Sequence, residues 1–172
     1  MGQFVNRSLA NTVTLFNLIF GSLSLTATVD GNYQLAACFI LMAVIMDTLD
    51  GRVARRLDIV SELGKQLDSL CDLVSFGVAP SMLISRQMLH SLPMNAGMLL
   101  MLFFIVCGAF RLARFNVLNI SDYFVGIPIT LAGILMALMS LCANYIPVGV
   151  AAVIMFCLSF LMVSNLKVKK LK

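Results

Sequence analysis

The chain has 172 residues, of which 60% are hydrophobic and 12% are charged, and its formal net charge is +4. A soluble domain of this length does not need so large an apolar fraction, so the composition indicates an integral membrane protein. The positive charge suits a basic face toward anionic lipid headgroups rather than a nucleic-acid-binding surface.

Six apolar segments reach the roughly 20 residues that a helix needs to cross a bilayer. The predicted spans cover approximately residues 10–29, 33–52, 64–86, 95–115, 126–144 and 147–166. Little sequence is left over, so the expected fold is an all-α membrane protein, a six-transmembrane-helix bundle that forms a single domain over residues 1–172. The N-terminal segment has no small-residue cleavage pattern, and we interpret it as a retained first helix rather than a signal peptide.

The basic residues predict the orientation of this bundle. If both termini are cytoplasmic, eleven of the twelve Lys and Arg residues lie on the inner side, and Arg86 alone lies on the outer side. Such an excess is what the positive-inside rule requires. We therefore expect a multi-pass protein of the cell membrane with both termini in the cytoplasm.

The first predicted span carries a stripe of small and polar residues. At spacings of i, i+4, i+7 and i+11 it contains Asn17, Gly21, Ser24 and Thr28. Residues of this kind let membrane helices approach closely, so the stripe predicts a helix–helix seam. Asn11 and Thr14 lie nearer the cytoplasmic end of the same span, where a polar ligand can reach them.

Half of the eight acidic residues lie in or beside the second and third spans, namely Asp47, Asp50, Asp68 and Asp72. An ionised Asp within a span is costly unless it meets water, a partner or a cation. At a rise of about 1.5 Å per residue on antiparallel helices, Asp50 is level with Asp68, and Asp47 with Asp72. Spacings of i,i+3 and i,i+4 place each pair on one helix face. The four carboxylates are therefore expected to converge just inside the cytoplasmic interface.

Carboxylates without His or Cys favour a hard cation, Mg²⁺ or Mn²⁺. Four carboxylates balance two such ions, which is an arrangement that clamps a phosphoryl group from both sides. The small residues Gly51, Ala54 and Gly64 continue the same helix faces and leave a cleft for a pyrophosphate. Arg55 follows at the same end, where it can bind a phosphate oxygen.

Two other interpretations of the aspartates are open at this point. The carboxylates can form inter-helix salt bridges to Arg52, Arg55 or Arg56, although acids at this depth outnumber basic partners. Intramembrane acids are also typical of a divalent-cation transporter. Against a transporter, no acidic residue continues through the outer half of any predicted span.

The residues from Asp47 to Asp72 read D-T-L-D-G-R-V-A-R, eight further residues, and G-K-Q-L-D-S-L-C-D. This segment matches every fixed position of D-x2-D-G-x2-A-R-x8-G-x3-D-x3-D and resembles the CDP-alcohol phosphotransferase family. The resemblance implies transfer of a phosphatidyl-type group from a CDP-linked lipid to an alcohol, with release of CMP. It also implies that the four aspartates hold two divalent cations and that Asp72 is the general base.

The resemblance extends to the nucleotide site. The CDP-lipid-binding residues that it implies are Asn11, Thr14, Gly51, Ala54, Arg55 and Gly64. The first helix of this family often begins P-N-x-x-T, and here Ala10 replaces the proline while Asn11 and Thr14 match.

Three further stretches bear on the acceptor alcohol. They are S-F-G-V-A-P-S from Ser75, F-R-L-A-R-F-N ending at Asn116, and Y-F-V-G-I-P-I-T from Tyr123. They resemble the integral-membrane phosphatidylserine synthases, a branch of this family. The branch implies L-serine as acceptor, CDP-diacylglycerol or its ether analogue CDP-archaeol as donor, a membrane-lipid environment and a homodimer. Glycerol 3-phosphate and inositol phosphate stay open as alternative acceptors.

The candidate acceptor-binding or phosphate-binding residues are Arg111, Arg114, Ser75 and Asn116. Arg111 and Arg114 are spaced i,i+3 at the cytoplasmic end of the fourth span and offer two cations on one face. A serine carboxylate or a lipid phosphate suits them. The alternative interpretation is that they only anchor the span at the inner surface.

Overall fold

The computed structural model describes residues 2–56, 62–118, 123–164 and 167–169, with side chains at 12, 14–49, 62–117 and 126–164. Within these residues the main helices are α1 (Gly2–Val29), α2 (Tyr33–Arg56), α3 (Glu62–Gln87), α4 (Ala96–Leu118), α5 (Ile129–Leu141) and α6 (Val148–Val163). Two strands, β1 (Tyr123–Val125) and β2 (Lys167–Lys169), pair antiparallel with Phe124 opposite Val168.

The predicted helical fold is confirmed, and each segment predicted to span overlaps one main helix, while the number of membrane crossings stays a prediction. The helix ends differ from the prediction in places. α1 begins earlier, at Gly2. α5 is shorter than its apolar run because Gly126 has a φ of +73° and Pro128 precedes the first helical residue. Proline fits at such a helix start because no intrahelical N–H bond is needed there.

The outer surface of the bundle is apolar. α3 and the segment Pro93–Val117 are long and apolar enough to cross a membrane, and four shorter apolar helices accompany them. Large apolar side chains such as Phe16, Ile45, Phe110 and Phe160 are exposed. Extensive exposed apolar surface is typical of contact with lipid or protein. These features are consistent with a membrane protein.

The turn after α1 determines how α2 packs. Gly31 adopts a φ of +77°, its N–H donates to the carbonyl of Thr28 at 3.2 Å, and the N–H of Asn32 donates to Ala27 at 2.8 Å. This is a Schellman motif, in which the left-handed residue reverses the chain. α2 consequently returns along α1, and the two helices pack against each other.

The predicted stripe of α1 is buried, which confirms the helix–helix seam. Asn17 and Ser24 are fully buried and Thr28 is 2% exposed. Gly21 lies so close to α3 that a Cβ at this position would be 2.8 Å from the Cα of Ser75. The absence of a side chain at Gly21 therefore sets the distance between α1 and α3.

α3 changes its hydrogen-bond pattern directly after Asp72. Leu73–Val78 is π-helical, and the N–H of Ala79 donates to the carbonyl of Val74. Pro80, which has no N–H, follows in the next turn. The π-helical stretch buries Ser75 and Phe76 between α1 and α5, where a Cβ on Gly133 would lie 3.0 Å from the Cα of Phe76. Single π-helical turns of this kind are frequent at functional sites.

Candidate active site

Three of the four predicted metal ligands lie together. Asp47 comes from α2, and Asp68 and Asp72 come from α3, one helical turn apart. One carboxylate oxygen of each residue lies within 4.8 Å of the others. Carboxylates this close repel one another, and a bound cation relieves that repulsion. The donor set of three carboxylate oxygens fits a hard divalent cation.

The side chains of several predicted site residues lie outside the described part of the structure. They are Asn11, Asp50, Gly51, Ala54 and Arg55, and their assigned roles stay predictions. The other two predicted CDP-lipid-binding residues are described. Thr14 is 6% exposed on α1, and Gly64 is half-buried on α3, one turn before Asp68.

Asp72 is held by a side chain of the first helix. Asp72 is 8% exposed, and the Nδ2 of Asn17 donates a hydrogen bond of 3.2 Å to its Oδ1. The hydroxyl of Ser75 in turn donates to the backbone carbonyl of Asn17 at 3.0 Å. Two hydrogen bonds thus join α1 to α3, one at Asp72 and one at Ser75, which is one helical turn further along α3.

The residue pattern of α1 predicted only a seam role for Asn17 and did not indicate its contact with a predicted catalytic residue. A signal was present, because Asn17 continues the face of Asn11 and Thr14 at i+3. It also differs from the rest of the stripe, since a carboxamide carries both donors and an acceptor. Such a group is rarely buried without a specific partner.

Arg111 lies near the carboxylate of Asp72. It is 8% exposed and close enough to Asp72 for an electrostatic interaction. Its guanidinium carbon is 5.8 Å from the centroid of the Phe115 ring, which is within the range of a cation–π interaction. α4 therefore contributes a buried cation to the neighbourhood of the aspartates.

Arg114 has different surroundings, although it is only three residues further along α4. Its Nη1 donates to the carbonyl of Val163 at 3.2 Å, and its Nη2 donates to that of Ser164 at 3.3 Å. These carbonyls are at the C-terminal end of α6, where intrahelical donors run out and a cation is favourable. Arg114 thus stabilises the junction of α4 and α6.

Asn116 and Ser75, the other two candidate acceptor residues, contact neighbouring helices. The Nδ2 of Asn116 donates to Ser69 at 3.0 Å and to Gln66 at 3.3 Å. The Nζ of Lys65 donates to the backbone carbonyl of Asn116 at 3.5 Å. This network joins the end of α4 to the turns of α3 that carry the aspartates.

A large cavity lies elsewhere in the bundle. It has a volume of about 510 Å³, and its lining includes Asn32, Gln87 and Ser140. The Oγ of Ser140 and the side chain of Gln87 are hydrogen-bonded to each other there. Among the residues that the structure describes, no aspartate lines this cavity. The converging carboxylates, rather than cavity size, therefore mark the candidate active site.

Comparison with known proteins identifies related sequences. The family model for CDP-alcohol phosphatidyltransferase matches residues 7–164. A Bacillus subtilis protein named CDP-diacylglycerol–serine O-phosphatidyltransferase is 39% identical over 90% of this chain and 86% of its own length. A Methanocaldococcus jannaschii protein of the same name is 34% identical over 95% of this chain and 74% of its own length. An archaetidylserine synthase of Methanothermobacter thermautotrophicus is 37% identical over 93% of this chain and 69% of its own length.

Proposed function

The chain belongs to the CDP-alcohol phosphatidyltransferase family, and from that premise we propose that it transfers a phosphatidyl or archaetidyl group from a CDP-linked lipid to L-serine, releasing CMP. One observation carries the choice of serine. The bacterial and archaeal relatives, each matched over at least 90% of this chain, are all named for transfer to serine or synthesis of a serine lipid. Family and relatives are transferases, which favours an enzyme over a cation transporter.

Divalent cations, Mg²⁺ or Mn²⁺, are the proposed cofactors. Asp47, Asp68 and Asp72 would hold them, with Asp50 as the fourth ligand, and the carboxylate cluster supports this assignment. When bound, the cations would neutralise the pyrophosphate of the CDP-lipid and stabilise the negative charge that develops on the departing CMP.

Asp72 is the proposed general base. The serine hydroxyl is a poor nucleophile, so it needs a carboxylate to accept its proton as it attacks. A bond forms between the serine oxygen and the lipid-side phosphorus while the bond from that phosphorus to the bridging oxygen breaks. CMP leaves with the bridging oxygen, and the proton passes to Asp72. Burial of Asp72 and its hydrogen bond from Asn17 support this role because they hold the carboxylate in one orientation.

Six spans with a cytoplasmic active site let the acyl or archaeol chains stay in lipid while CDP and serine arrive from the cytoplasm. Asn11, Thr14, Gly51, Ala54, Arg55 and Gly64 would bind the CDP-lipid. Of the two candidate arginines, Arg111 is the better placed for the acceptor, because it lies near Asp72.

The test is an acceptor comparison with the purified protein in liposomes. CDP-diacylglycerol and CDP-archaeol are each supplied with labelled L-serine, glycerol 3-phosphate or inositol phosphate, and CMP and labelled lipid are measured. We expect Mg²⁺-dependent or Mn²⁺-dependent product with serine. If product formed with glycerol 3-phosphate or inositol phosphate instead, L-serine would be contradicted as the acceptor. Divalent-cation flux without CMP release would contradict the enzyme class.

A further inference from the structure

Two buried polar atoms near Asp72 have no hydrogen-bond partner among the described residues. They are the Oδ1 of Asn17, on a side chain that is fully buried, and the Nε of Arg111, on a side chain that is 8% exposed. Buried polar groups are almost always paired, because leaving one unpaired costs the hydrogen bonds it made to water. Two of them near one predicted catalytic carboxylate point to a ligand.

The amide orientation of Asn17 follows from its contact. An ionised carboxylate only accepts hydrogen bonds, so the Nδ2 must face Asp72 and the Oδ1 must be the orphaned atom. Flipping the amide would place a carbonyl oxygen against a carboxylate oxygen and be repulsive. The hydrogen bond from Ser75 to the backbone of Asn17 and the close contact of Gly21 further limit its movement.

The two orphaned atoms are chemically complementary. Asn17 on α1 offers an acceptor, Arg111 on α4 offers a cationic donor, and Asp72 lies near both. A fitting ligand therefore has a hydrogen-bond donor for Asn17, an anionic group for Arg111 and a hydroxyl for Asp72. A short hydroxy-α-amino acid carries all three groups on adjacent carbons.

We propose that Asn17 is a specificity-determining residue that binds the α-ammonium of the acceptor serine through its Oδ1, while Arg111 binds the serine carboxylate. This inference rests on the proposed function. A neutral amide is suited to the task, because another carboxylate would add repulsion to the aspartate cluster. A hydrogen bond from an ammonium is charge-assisted and strong. Glycerol 3-phosphate and inositol phosphate have no ammonium, so Asn17 favours serine over them.

The test compares Asn17→Ala with Ser24→Ala. Ser24 lies on the same face of α1, is fully buried, and its Oγ also has no partner in the described part of the chain. We expect Asn17→Ala to raise the KM for L-serine about tenfold or more, because a charge-assisted hydrogen bond is lost. At saturating Mn²⁺, the KM for CDP-lipid should stay within about threefold. Ser24→Ala should leave the KM for L-serine unchanged.

A second measurement needs no variant. The wild-type protein is assayed with L-serine and with 3-hydroxypropanoate, which keeps the hydroxyl and carboxylate but lacks the ammonium. We expect the kcat/KM or the affinity for 3-hydroxypropanoate to be at least about tenfold lower than that for L-serine. Equal use of the two acceptors would overturn the proposal, as would an unchanged serine KM in Asn17→Ala. At saturating Mn²⁺, parallel increases in the KM values of L-serine and CDP-lipid would assign Asn17 a structural or metal-binding role instead. If the wild-type protein incorporates no serine, the proposed function itself fails.

Discussion

The side-chain amide of Asn17 donates a hydrogen bond of 3.2 Å to the Oδ1 of Asp72, across the interface between α1 and α3. The same residue accepts a hydrogen bond from Ser75, which lies three residues beyond Asp72 in the π-helical stretch. Because both bonds cross one interface, the packing of α1 and the orientation of the proposed base are coupled. A change in the seam should therefore affect catalysis as well as stability.

Replacing the proposed base is the most direct test of its role. Asp72→Asn should lower CMP release by about 10²–10⁴-fold or more, because an amide does not accept the proton of the serine hydroxyl. Binding of CDP-lipid should be largely retained. CMP release and CDP-lipid binding are measured on the same preparation. Asp30→Asn is a matched control in an exposed turn and should keep its activity. Near-normal turnover of Asp72→Asn would remove Asp72 as the base.

The cation requirement gives a second prediction. Chelation should abolish activity, and Mg²⁺ or Mn²⁺ should restore it. Even outer-shell changes cost about 10–100-fold in metal affinity, so loss of a proposed ligand should cost at least as much. Asp47→Asn and Asp68→Asn should therefore raise the Mn²⁺ concentration for half-maximal activity about tenfold or more. Full activity after chelation would contradict the metal site.

The seam itself is tested by adding one methyl group. In Gly21→Ala the new Cβ would lie 2.8 Å from the Cα and 2.9 Å from the Cβ of Ser75, so α1 or α3 must shift. Such overpacking costs about 1–3 kcal/mol. In the control Gly149→Ala, the described part of the chain places no atom within 4 Å of the new methyl group apart from its chain neighbours and the backbone of its own helix. This substitution should be neutral or stabilise α6 by up to about 1 kcal/mol. The melting temperature in detergent is the readout. Equal changes in melting temperature for the two variants would contradict the close contact between Gly21 and Ser75.

Much of this fold could be predicted from local patterns. Apolar runs interrupted at Gly31, Pro128 and Pro147 mark helix boundaries because these residues have restricted or unusual backbone geometry. The convergence of Asp47 with Asp72 followed from counting the helical rise on antiparallel neighbours. Both inferences use only the regular geometry of helices.

Other features depend on contacts between distant segments and could not be predicted in this way. The π-helical stretch after Asp72 lies where α1 and α5 approach closely at Gly21 and Gly133. Arg111 and Arg114 share a helix face by spacing, yet it is Arg114 whose guanidinium donates to the carbonyls at the end of α6. Asn17 looked like another seam residue because its partner is 55 residues away in the chain.

The two arginines of α4 give the last prediction, because their different surroundings predict different losses. Arg114→Ala removes two hydrogen bonds to the C-terminal carbonyls of α6 and should lower the free energy of unfolding by about 1–3 kcal/mol. Arg114→Lys keeps the charge and should recover part of this stability. Arg111→Ala should instead raise the KM for L-serine about tenfold or more, because the serine carboxylate loses its proposed cation. Melting in detergent and serine kinetics are measured for all three variants. If Arg114→Ala raised the serine KM with an unchanged melting temperature, Arg114 rather than Arg111 would be the acceptor-binding residue.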